Sequence, residues 1–259
     1  MSADLVPGED PSTEVPWTSV GPRRAVKTSE AVMVLLVRDM VARGLRSGDR
    51  LPTEAEMMRE YGVSRASLRE AIRLLEVQGL ITLKPGPGGG ATVGAADYRN
   101  FARTATLYLH LGGMTYGELT ATQEVLEPLL AEGAARNPDT VAKRAALAPY
   151  LSDEIPAESV EYRRLSSAFH DTVARLAENG VLALLARATS GIVTSHVTAH
   201  MDPVELRPEI LKEHRAIARA ICAGQHRAAK RLMTEHYARQ HAYLAEHWPS
   251  RLDEIVERP

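Results

Sequence analysis

Apolar side chains recur at the spacing of an α-helix three times in the first 80 residues. One apolar-rich run begins at Thr28 or Ser29, a second follows Pro52, and a third extends from Ser64 to about Gln78. Each run starts beside a hydroxyl side chain, which can accept a hydrogen bond from a free N–H of the first helical turn. This pattern predicts three short helices, each with one apolar face.

The pattern changes to that of a β-hairpin after the third predicted helix. Residues 80–84 suit a strand, residues 85–90 are rich in Gly and Pro, and residues 91–93 suit a returning strand. Three helices followed by a hairpin are typical of a winged helix-turn-helix domain, a fold that presents one helix to the major groove of DNA. We place this domain at residues 23–94.

From residue 101 onward the chain shows only helical patterns. The predicted helices cover residues 101–111, 115–136, 139–150, 158–178, 180–200, 207–223 and 225–247. Successive helices of this kind predict an all-helical antiparallel bundle at residues 101–248. The whole fold is therefore expected to be mainly α, with a linker at 95–100. Residues 1–22 combine prolines with acidic residues and predict a disordered tail, and residues 249–259 predict a second tail.

Composition narrows the class of protein and its compartment. The chain has 259 residues, of which 44% are hydrophobic and 25% charged, which is typical of globular domains. A single cysteine, Cys222, excludes an intramolecular disulfide and fits a reducing compartment. No apolar stretch approaches the ~20 residues that span a bilayer, and a signal sequence is lacking. We therefore expect a cytoplasmic protein without a membrane partner.

Charge is distributed unevenly along the chain. The formal net charge is −2, but residues 23–93 contain 12 Lys or Arg against 8 Asp or Glu. The predicted winged domain is thus the basic part of the chain. A local basic surplus favours a polyanionic partner, although a surplus this small also occurs in domains that bind no polyanion.

The predicted third helix carries a stripe of arginines. Arg65, Arg69 and Arg73 lie four residues apart and share one helix face. An Arg in the major groove can donate two hydrogen bonds to O6 and N7 of guanine, so we predict that Arg65, near the helix start, contacts a base. In an equally weighted interpretation, the arginines form a solvated face that pairs with Glu70 and Glu76.

The tip of the predicted hairpin favours the DNA-binding interpretation. Gly86, Gly88, Gly89 and Gly90 lie close to Lys84. Glycines allow a backbone to approach closely, and a Lys beside them can contact a phosphate, as a wing over the sugar-phosphate chain requires. An ordinary hairpin loop would also account for these glycines.

Several short motifs in residues 48–86 are similar to those of a known family. Leu51-Pro52-Thr53-Glu54, Gly62-Val63-Ser64-Arg65 and Leu68-Arg69-Glu70-Ala71 resemble, in order and spacing, the DNA-binding domain of GntR-type bacterial transcription regulators. The resemblance implies that Ser64, Arg65, Ser67, Arg69 and Gly86 contact DNA, and we add Lys84 of the hairpin. The family commonly has Arg at the position of Ala55, so one DNA contact is missing here, and the operator sequence or the affinity for it is expected to differ from that of relatives.

The C-terminal half resembles FCD, the all-helical effector domain of the FadR-type subgroup. The similar residues are Leu126-Glu127-Pro128, Phe169-His170, Asn179, Leu182 and the stretch from Glu213 to His236. Many such domains bind a divalent metal through Asp-x-x-x-His and two later histidines, and His170, His214 and His236 occupy the histidine positions. The resemblance implies a Zn or Ni site with room for an effector oxygen. The Asp position holds Ser166, whose neutral hydroxyl is a poor ligand, so we expect either weaker metal binding or a water in place of the carboxylate.

We predict that Gln123, Ser166 and Arg187 contact the effector. Relatives that sense organic acids often carry Arg at the position of Gln123, where it can clamp a carboxylate through two parallel hydrogen bonds. An amide cannot replace that interaction. Small hydroxy acids and sugar acids are therefore less favoured as effectors, unless Arg187 or another basic residue compensates.

These features together predict a homodimeric transcription regulator that represses at operator DNA until a small-molecule effector binds. Two other functions stay open. In one, the bundle encloses a long apolar or acyl ligand without any metal. In the other, the three histidines hold a catalytic metal with an activated water. No general base accompanies the histidines in the sequence, and an enzyme would leave the basic domain unexplained, so we do not expect an enzyme.

Overall fold

The computed structural model describes residues 28–86, 89–95, 97–152, 158–196 and 204–257. The chain forms two compact units, Met1–Ala95 and Ala96–Pro259, and the boundary falls within the predicted linker. The predicted tail at residues 1–22 lies outside the described residues.

The first unit contains three helices and a two-stranded antiparallel sheet. These elements are α1 (Ser29–Ala42), α2 (Glu54–Tyr61), α3 (Arg65–Val77), β1 (Ile81–Lys84) and β2 (Gly90–Val93). The strand register pairs Ile81 with Val93 and Lys84 with Gly90. The predicted winged helix-turn-helix is therefore confirmed.

Side-chain caps start the three helices of this unit. Thr28, rather than Ser29, caps α1, Thr53 forms a capping box on α2, and Ser64 caps α3. Gly62 has a φ of +62° between α2 and α3, a backbone conformation that glycine adopts without strain. The caps satisfy N–H groups that have no partner within the helix, so the tight break between α2 and α3 is encoded locally.

One apolar cluster holds the first unit together. It brings the inner faces of the three helices against β1, and its most deeply buried members are Val32, Leu36, Met57, Leu68, Ile72, Leu75 and Ile81. Full burial of each such side chain stabilises the fold by roughly 1.5 to 3 kcal/mol. The position of α3 is therefore fixed by its buried face, which leaves its opposite face for other contacts.

The second unit is helical throughout its described residues. Its α-helices are α4 (Tyr98–Leu111), α5 (Tyr116–Arg136), α6 (Thr140–Leu147), α7 (Ser159–Leu176), α8 (Gly180–His196), α9 (Arg207–Cys222), α10 (His226–His247) and α11 (Pro249–Asp253). Helix α5 lies at the centre and packs against α7, α8, α9 and α10. Leu130, Phe169, Ile217 and Met233 are fully buried in the main core. The predicted helical bundle is confirmed, and no described helix is long and apolar enough to cross a membrane.

The boundaries of this unit differ from the predicted ones in two places. Helix α4 begins at Tyr98, inside the predicted linker, because Asp97 caps it. The helix predicted at 139–150 ends at Leu147 and continues as a short 3₁₀ turn. The end of the helix predicted at 180–200 lies outside the described residues. Such shifts are expected, since helix ends depend on capping contacts more than on periodicity.

The predicted C-terminal tail is also wrong over most of its length. Residues 249–253 form α11, and Leu252 and Val256 are buried in a small apolar cluster with Tyr116. The N–H of Glu257 donates to the Tyr116 hydroxyl, 3.0 Å away. The segment is too short to show a helical period, but two buried apolar side chains are enough to hold it against α5.

Candidate functional site

The arginine stripe of α3 is exposed to solvent. Leu68 and Ile72 anchor the helix on its inner side, whereas Arg65, Arg69 and Arg73 are exposed on the outer side. The helix therefore has the two faces that the sequence predicts.

Ion pairs do not neutralise this stripe. Arg69 Nε lies 3.9 Å from Glu54 Oε1, and both side chains are largely exposed, so the pair contributes little. Within the described ranges Arg65 and Arg73 form no ion pair with Glu70 or Glu76. The interpretation of the stripe as a paired, solvated face is thus not supported, and the guanidinium groups are available to phosphates or bases.

The other predicted DNA contacts lie at the start of α3 and in the hairpin. Ser64 Oγ accepts the Ser67 N–H at 3.2 Å, and the two hydroxyls are 3.0 Å apart. A helix N-terminus favours phosphate, because its free N–H groups and its dipole both attract an anion. Lys84 is exposed at the end of β1, and Gly86 has a φ of +97°. Gly88 lies outside the described residues.

In the second unit, three distant histidines converge. His170 on α7, His214 on α9 and His236 on α10 each offer a ring nitrogen, and these atoms lie within 4.8 Å of one another. His214 Nε2 and His236 Nε2 are 3.3 Å apart. His214 and His236 are fully buried, and His170 is partly exposed. The structure therefore brings together the three residues that the resemblance pointed to.

A carboxylate orients one of these imidazoles. Glu213 Oε2 lies 2.6 Å from His236 Nδ1, and Glu213 Oε1 lies 2.6 Å from Arg239 Nε. Because an ionised carboxylate only accepts hydrogen bonds, His236 Nδ1 carries the proton and His236 Nε2 presents its lone pair to the cluster. This role of Glu213 was not predicted from the sequence, although Glu213 directly precedes His214.

A second carboxylate, also missed, lies beside His170. Glu127 Oε2 is 3.5 Å from His170 Nδ1, and Glu127 is buried on α5. Glu127 Oε1 accepts the Ser190 hydroxyl, 3.1 Å away. Carboxylates behind histidine ligands are common in metal sites, where they fix the ring and raise its basicity. The Leu126-Glu127-Pro128 motif was the only signal of Glu127 in the sequence.

The buried histidines are neutral. Burial lowers the pKa of His214 well below its ordinary value of 6.5, and the neighbouring His236 and His170 lower it further. Burial also lowers the pKa of His236, although the hydrogen bond to Glu213 acts in the opposite direction. Neutral imidazoles are the form that binds a metal ion.

The three histidines fit a divalent metal of the zinc type. Their ring nitrogens lie close together, the buried His214 and His236 are neutral, and carboxylates lie beside His170 and His236, as such an ion requires. One feature weakens the fit, since His214 Nδ1 has no hydrogen-bond partner among the described residues. If His214 bound an ion through Nε2, its Nδ1–H would stay buried and unsatisfied, which carries a cost in binding free energy.

A cavity of about 700 Å³ lies beside the histidines in the same unit. Its walls come from α4, α5, α7, α8, α9 and α10, and its polar lining includes Thr106, Gln123, Ser166, His170, Arg187 and Gln240. This volume is in the range of small-molecule sites. The three predicted effector contacts therefore line one cavity, and His170 joins that cavity to the histidine cluster.

Two of the predicted effector contacts already have partners in the protein. Gln123 donates to Ser190 Oγ at 2.9 Å. Arg187 Nε donates to Asp171 Oδ1 at 2.8 Å, and its guanidinium lies 4.3 Å from the centre of the Tyr98 ring. An anionic effector would compete with Asp171 for Arg187. Ser166 lies one turn before His170 on α7.

A winged helix-turn-helix joined to a helical unit with an internal cavity defines a transcription regulator with an effector-binding domain. The chain belongs to the GntR family: the model of bacterial regulatory proteins of the gntR family matches residues 28–91, and the FCD domain model matches residues 118–239.

Individual relatives and a solved structure agree with this assignment. The chain is 30% identical over 227 residues to the HTH-type transcriptional regulator Mce2R of Mycobacterium tuberculosis, covering 81% of this chain and 87% of the relative. It is 27% identical over 221 residues to the Uxu operon transcriptional regulator of Escherichia coli, covering 78% of this chain and 80% of the relative. The solved Streptococcus agalactiae GntR has a TM-score of 0.58 at 20% identity, over 83% of this chain and 99% of that one, which supports the fold. These relatives are transcription regulators, not enzymes.

Proposed function

We propose that this regulator, of the FadR subgroup, binds operator DNA by placing the N-terminal end of α3 in the major groove. The observation that carries the proposal is the exposed arginine stripe on a helix whose other face is anchored in the core. Arg65 contacts a base, and the remaining contacts, mainly to phosphates, come from Ser64, Ser67, Arg69, Lys84 and Gly86.

In this proposal the protein binds the operator as a homodimer. Phe101, Tyr108 and Leu111 lie along one side of α4 and are 41%, 74% and 88% exposed. Contact with a second copy would cover these apolar side chains and present two copies of α3 to inverted half-sites. Light scattering tests this point: the wild-type chain should have the mass of a dimer, and Tyr108→Glu should shift it toward the monomer.

The cavity of the second unit holds a small-molecule effector that controls DNA binding. Gln123, Ser166 and Arg187 contact it, and His170, His214 and His236 hold a divalent ion such as Zn or Ni at the cavity edge. When bound, the ion supplies an electrophilic position for an effector oxygen. The effector must bind one DNA-binding state of the protein more tightly than the other, and we propose that it relieves repression.

A second candidate keeps the regulator but removes the metal. Ala102, Ile192, Val193, Leu206, Ile210 and Leu244 also line the cavity. These apolar walls would suit a long acyl chain. Metal analysis of protein purified without a chelator separates the candidates: about one equivalent of metal per chain supports the metal site, and none, with no uptake on titration, supports the apolar ligand.

The test of DNA binding is selection of genomic fragments by the purified full-length chain. We expect enrichment of related sequences with two inverted halves, and binding that weakens as salt is raised. Binding without any sequence preference would contradict the proposal.

A further inference from the structure

Gln240 lies beside the histidine cluster, in contact with His236. It follows His236 by one turn on α10, so both side chains leave the same face of the helix. The terminal amide nitrogen of Gln240 is 2.5 Å from His236 Nε2, and Gln240 lines the cavity. The amide therefore contacts the very nitrogen that faces His214.

The hydrogen-bond pattern around His236 defines the geometry of this contact. Glu213 holds the proton on His236 Nδ1, so His236 Nε2 has a free lone pair. The Gln240 amide donates an N–H to that lone pair. Rotation of the amide by half a turn would replace its N–H with its carbonyl oxygen at nearly the same place, because the two ends have almost the same shape.

We propose that the side-chain carbonyl oxygen of Gln240 is a metal ligand, and that it supplies the oxygen donor lost where Ser166 replaces aspartate. The proposal rests on the proposed function, in which His170, His214 and His236 hold a divalent ion. In metal-free protein the amide donates to His236, and when an ion binds the amide turns its oxygen toward the ion.

Other oxygen atoms also lie near the cluster. Ser166 offers a neutral hydroxyl, which is a poor ligand. Glu127 Oε1 accepts from Ser190, and Glu127 Oε2, which has no hydrogen-bond partner among the described residues, lies 3.5 Å from His170 Nδ1, on the same side as the Tyr237 hydroxyl at 3.4 Å. Gln240 differs from both because it contacts His236 Nε2, the nitrogen that faces His214.

The proposed ligand set has a consequence for charge. Three imidazoles and an amide are neutral, so the ion keeps its full charge, whereas an aspartate would cancel one unit. The site should bind the ion itself more weakly than a site with aspartate. Once bound, that ion should attract an anionic ligand more strongly.

The test uses two substitutions in the full-length chain, with zinc alone as the probe in competition with a chromophoric chelator. Gln240→Leu removes the oxygen and keeps the size, and Gln240→Glu replaces the amide with a carboxylate. We expect zinc affinity to fall at least about tenfold in the first and to rise in the second. Gln225→Leu, at the exposed start of α10, is the matched control and should bind zinc as the wild type does.

If Gln240 has only a structural role, the change in zinc affinity expected for Gln240→Leu has the opposite sign. If Gln240 only donates an N–H to His236, Gln240→Leu removes a competitor of the ion, and zinc affinity should stay the same or increase. Either result would overturn the proposal while leaving the histidine site intact. A visible absorption spectrum of the cobalt form that is the same in wild type and Gln240→Leu would also overturn it. If neither the wild type nor the two variants take up zinc, the proposed metal site itself is ruled out.

Discussion

In the first unit, Arg65 and Arg69 project from α3 into solvent, and the nearest carboxylate to Arg69 lies at the long distance of 3.9 Å. In the second unit, His214 and His236 are buried, and a carboxylate lies 2.6 Å from one of them. In the proposed function, DNA supplies the missing partners of the first set of side chains. The second set of side chains already has partners within the protein, such as Glu213, before any ligand binds.

The difference follows from the chemistry of the two ligands. DNA presents a dense row of negative charge and displaces water from exposed guanidinium groups, so these groups need no partners beforehand. A small effector offers few contacts, so its binding site gains affinity when residues such as Glu213 hold the contacting groups in place. We expect substitutions in the first unit to change DNA binding alone, and substitutions in the second to change ligand binding first.

The largest effect is expected for His214→Ala. The loss of one ligand from a buried cluster should weaken zinc binding by more than about 100-fold, since even the residues that orient a ligand are worth 10- to 100-fold. DNA binding without effector should stay near the wild-type level. Equilibrium dialysis against zinc and a gel shift on a selected fragment measure the two effects. His247→Ala, an exposed histidine of α10, is the control.

Two results for His214→Ala would count against the account. Unchanged zinc affinity would remove His214 from the metal site. A collapse of the helical circular dichroism signal would show a structural role, because the His214 ring stacks on Phe169 at 4.2 Å. His214→Asn, which keeps a polar side chain, then decides whether zinc binding is lost in a folded protein.

Arg65→Ala should weaken operator binding by about 1 to 3 kcal/mol and relax the preference at one base position. The physical reason is the loss of two hydrogen bonds to a guanine edge. Fluorescence anisotropy on the enriched fragment and on single-base variants measures the change. Arg38→Ala removes an exposed arginine of α1 that pairs with Asp39, and it should have little effect. Equal losses on all fragments would make Arg65 a phosphate contact instead.

Acid should destabilise the second unit before the first. The folded pKa values of His214 and His236 are lowered by burial, so the unfolded chain binds protons near pH 6.5 that the folded unit does not accept. The contribution of these histidines to the free energy of unfolding is therefore fully present above pH 6.5. It falls as the pH drops below that value, by up to about 1.4 kcal/mol per pH unit for each histidine. Urea unfolding between pH 7.5 and 5 measures this loss, which should shrink in His214→Phe. A loss of the same size in that variant would assign it to other groups.

The smallest effect is expected for Thr53→Ala. The Thr53 hydroxyl accepts the backbone N–H of Glu56, and the Glu56 carboxylate accepts the backbone N–H of Thr53. Removal of the hydroxyl should therefore cost about 1 kcal/mol of folding stability. Thermal unfolding monitored by circular dichroism measures the cost. Thr104→Ala replaces an exposed threonine within α4, where alanine has the higher helix propensity, and should raise stability by up to about 0.7 kcal/mol. An equal effect of both variants would mean that the cap contributes nothing beyond helix propensity.

Local patterns predicted most of the first unit. Ser64 as a cap, Leu68, Ile72 and Leu75 on one face and the glycine-rich turn all act over a few residues, and the structure has α3 and the hairpin where they indicate. In the second unit the helices followed from periodicity, and the three histidines followed from the resemblance.

What the sequence could not predict depends on contacts between distant helices. The approach of Glu127 on α5 to His170 on α7, and the pairing of Arg187 with Asp171, are set by helix packing. The burial of Val256 next to α5 depends on a segment too short for periodicity. Gln240 could have been found from its spacing to His236 on α10, once the histidines had been taken as ligands, whereas the contact of Glu213 on α9 with His236 is set by helix packing.

The proposed function rests first on sequence-specific recognition of DNA by α3. Sequencing of genomic fragments retained by the wild-type chain and by Arg65→Ala, in parallel, measures that recognition. We expect a shared inverted-repeat motif for the wild type, with a defined base position relaxed or lost in Arg65→Ala. Identical fragments for both proteins, or no common motif for the wild type, would contradict it.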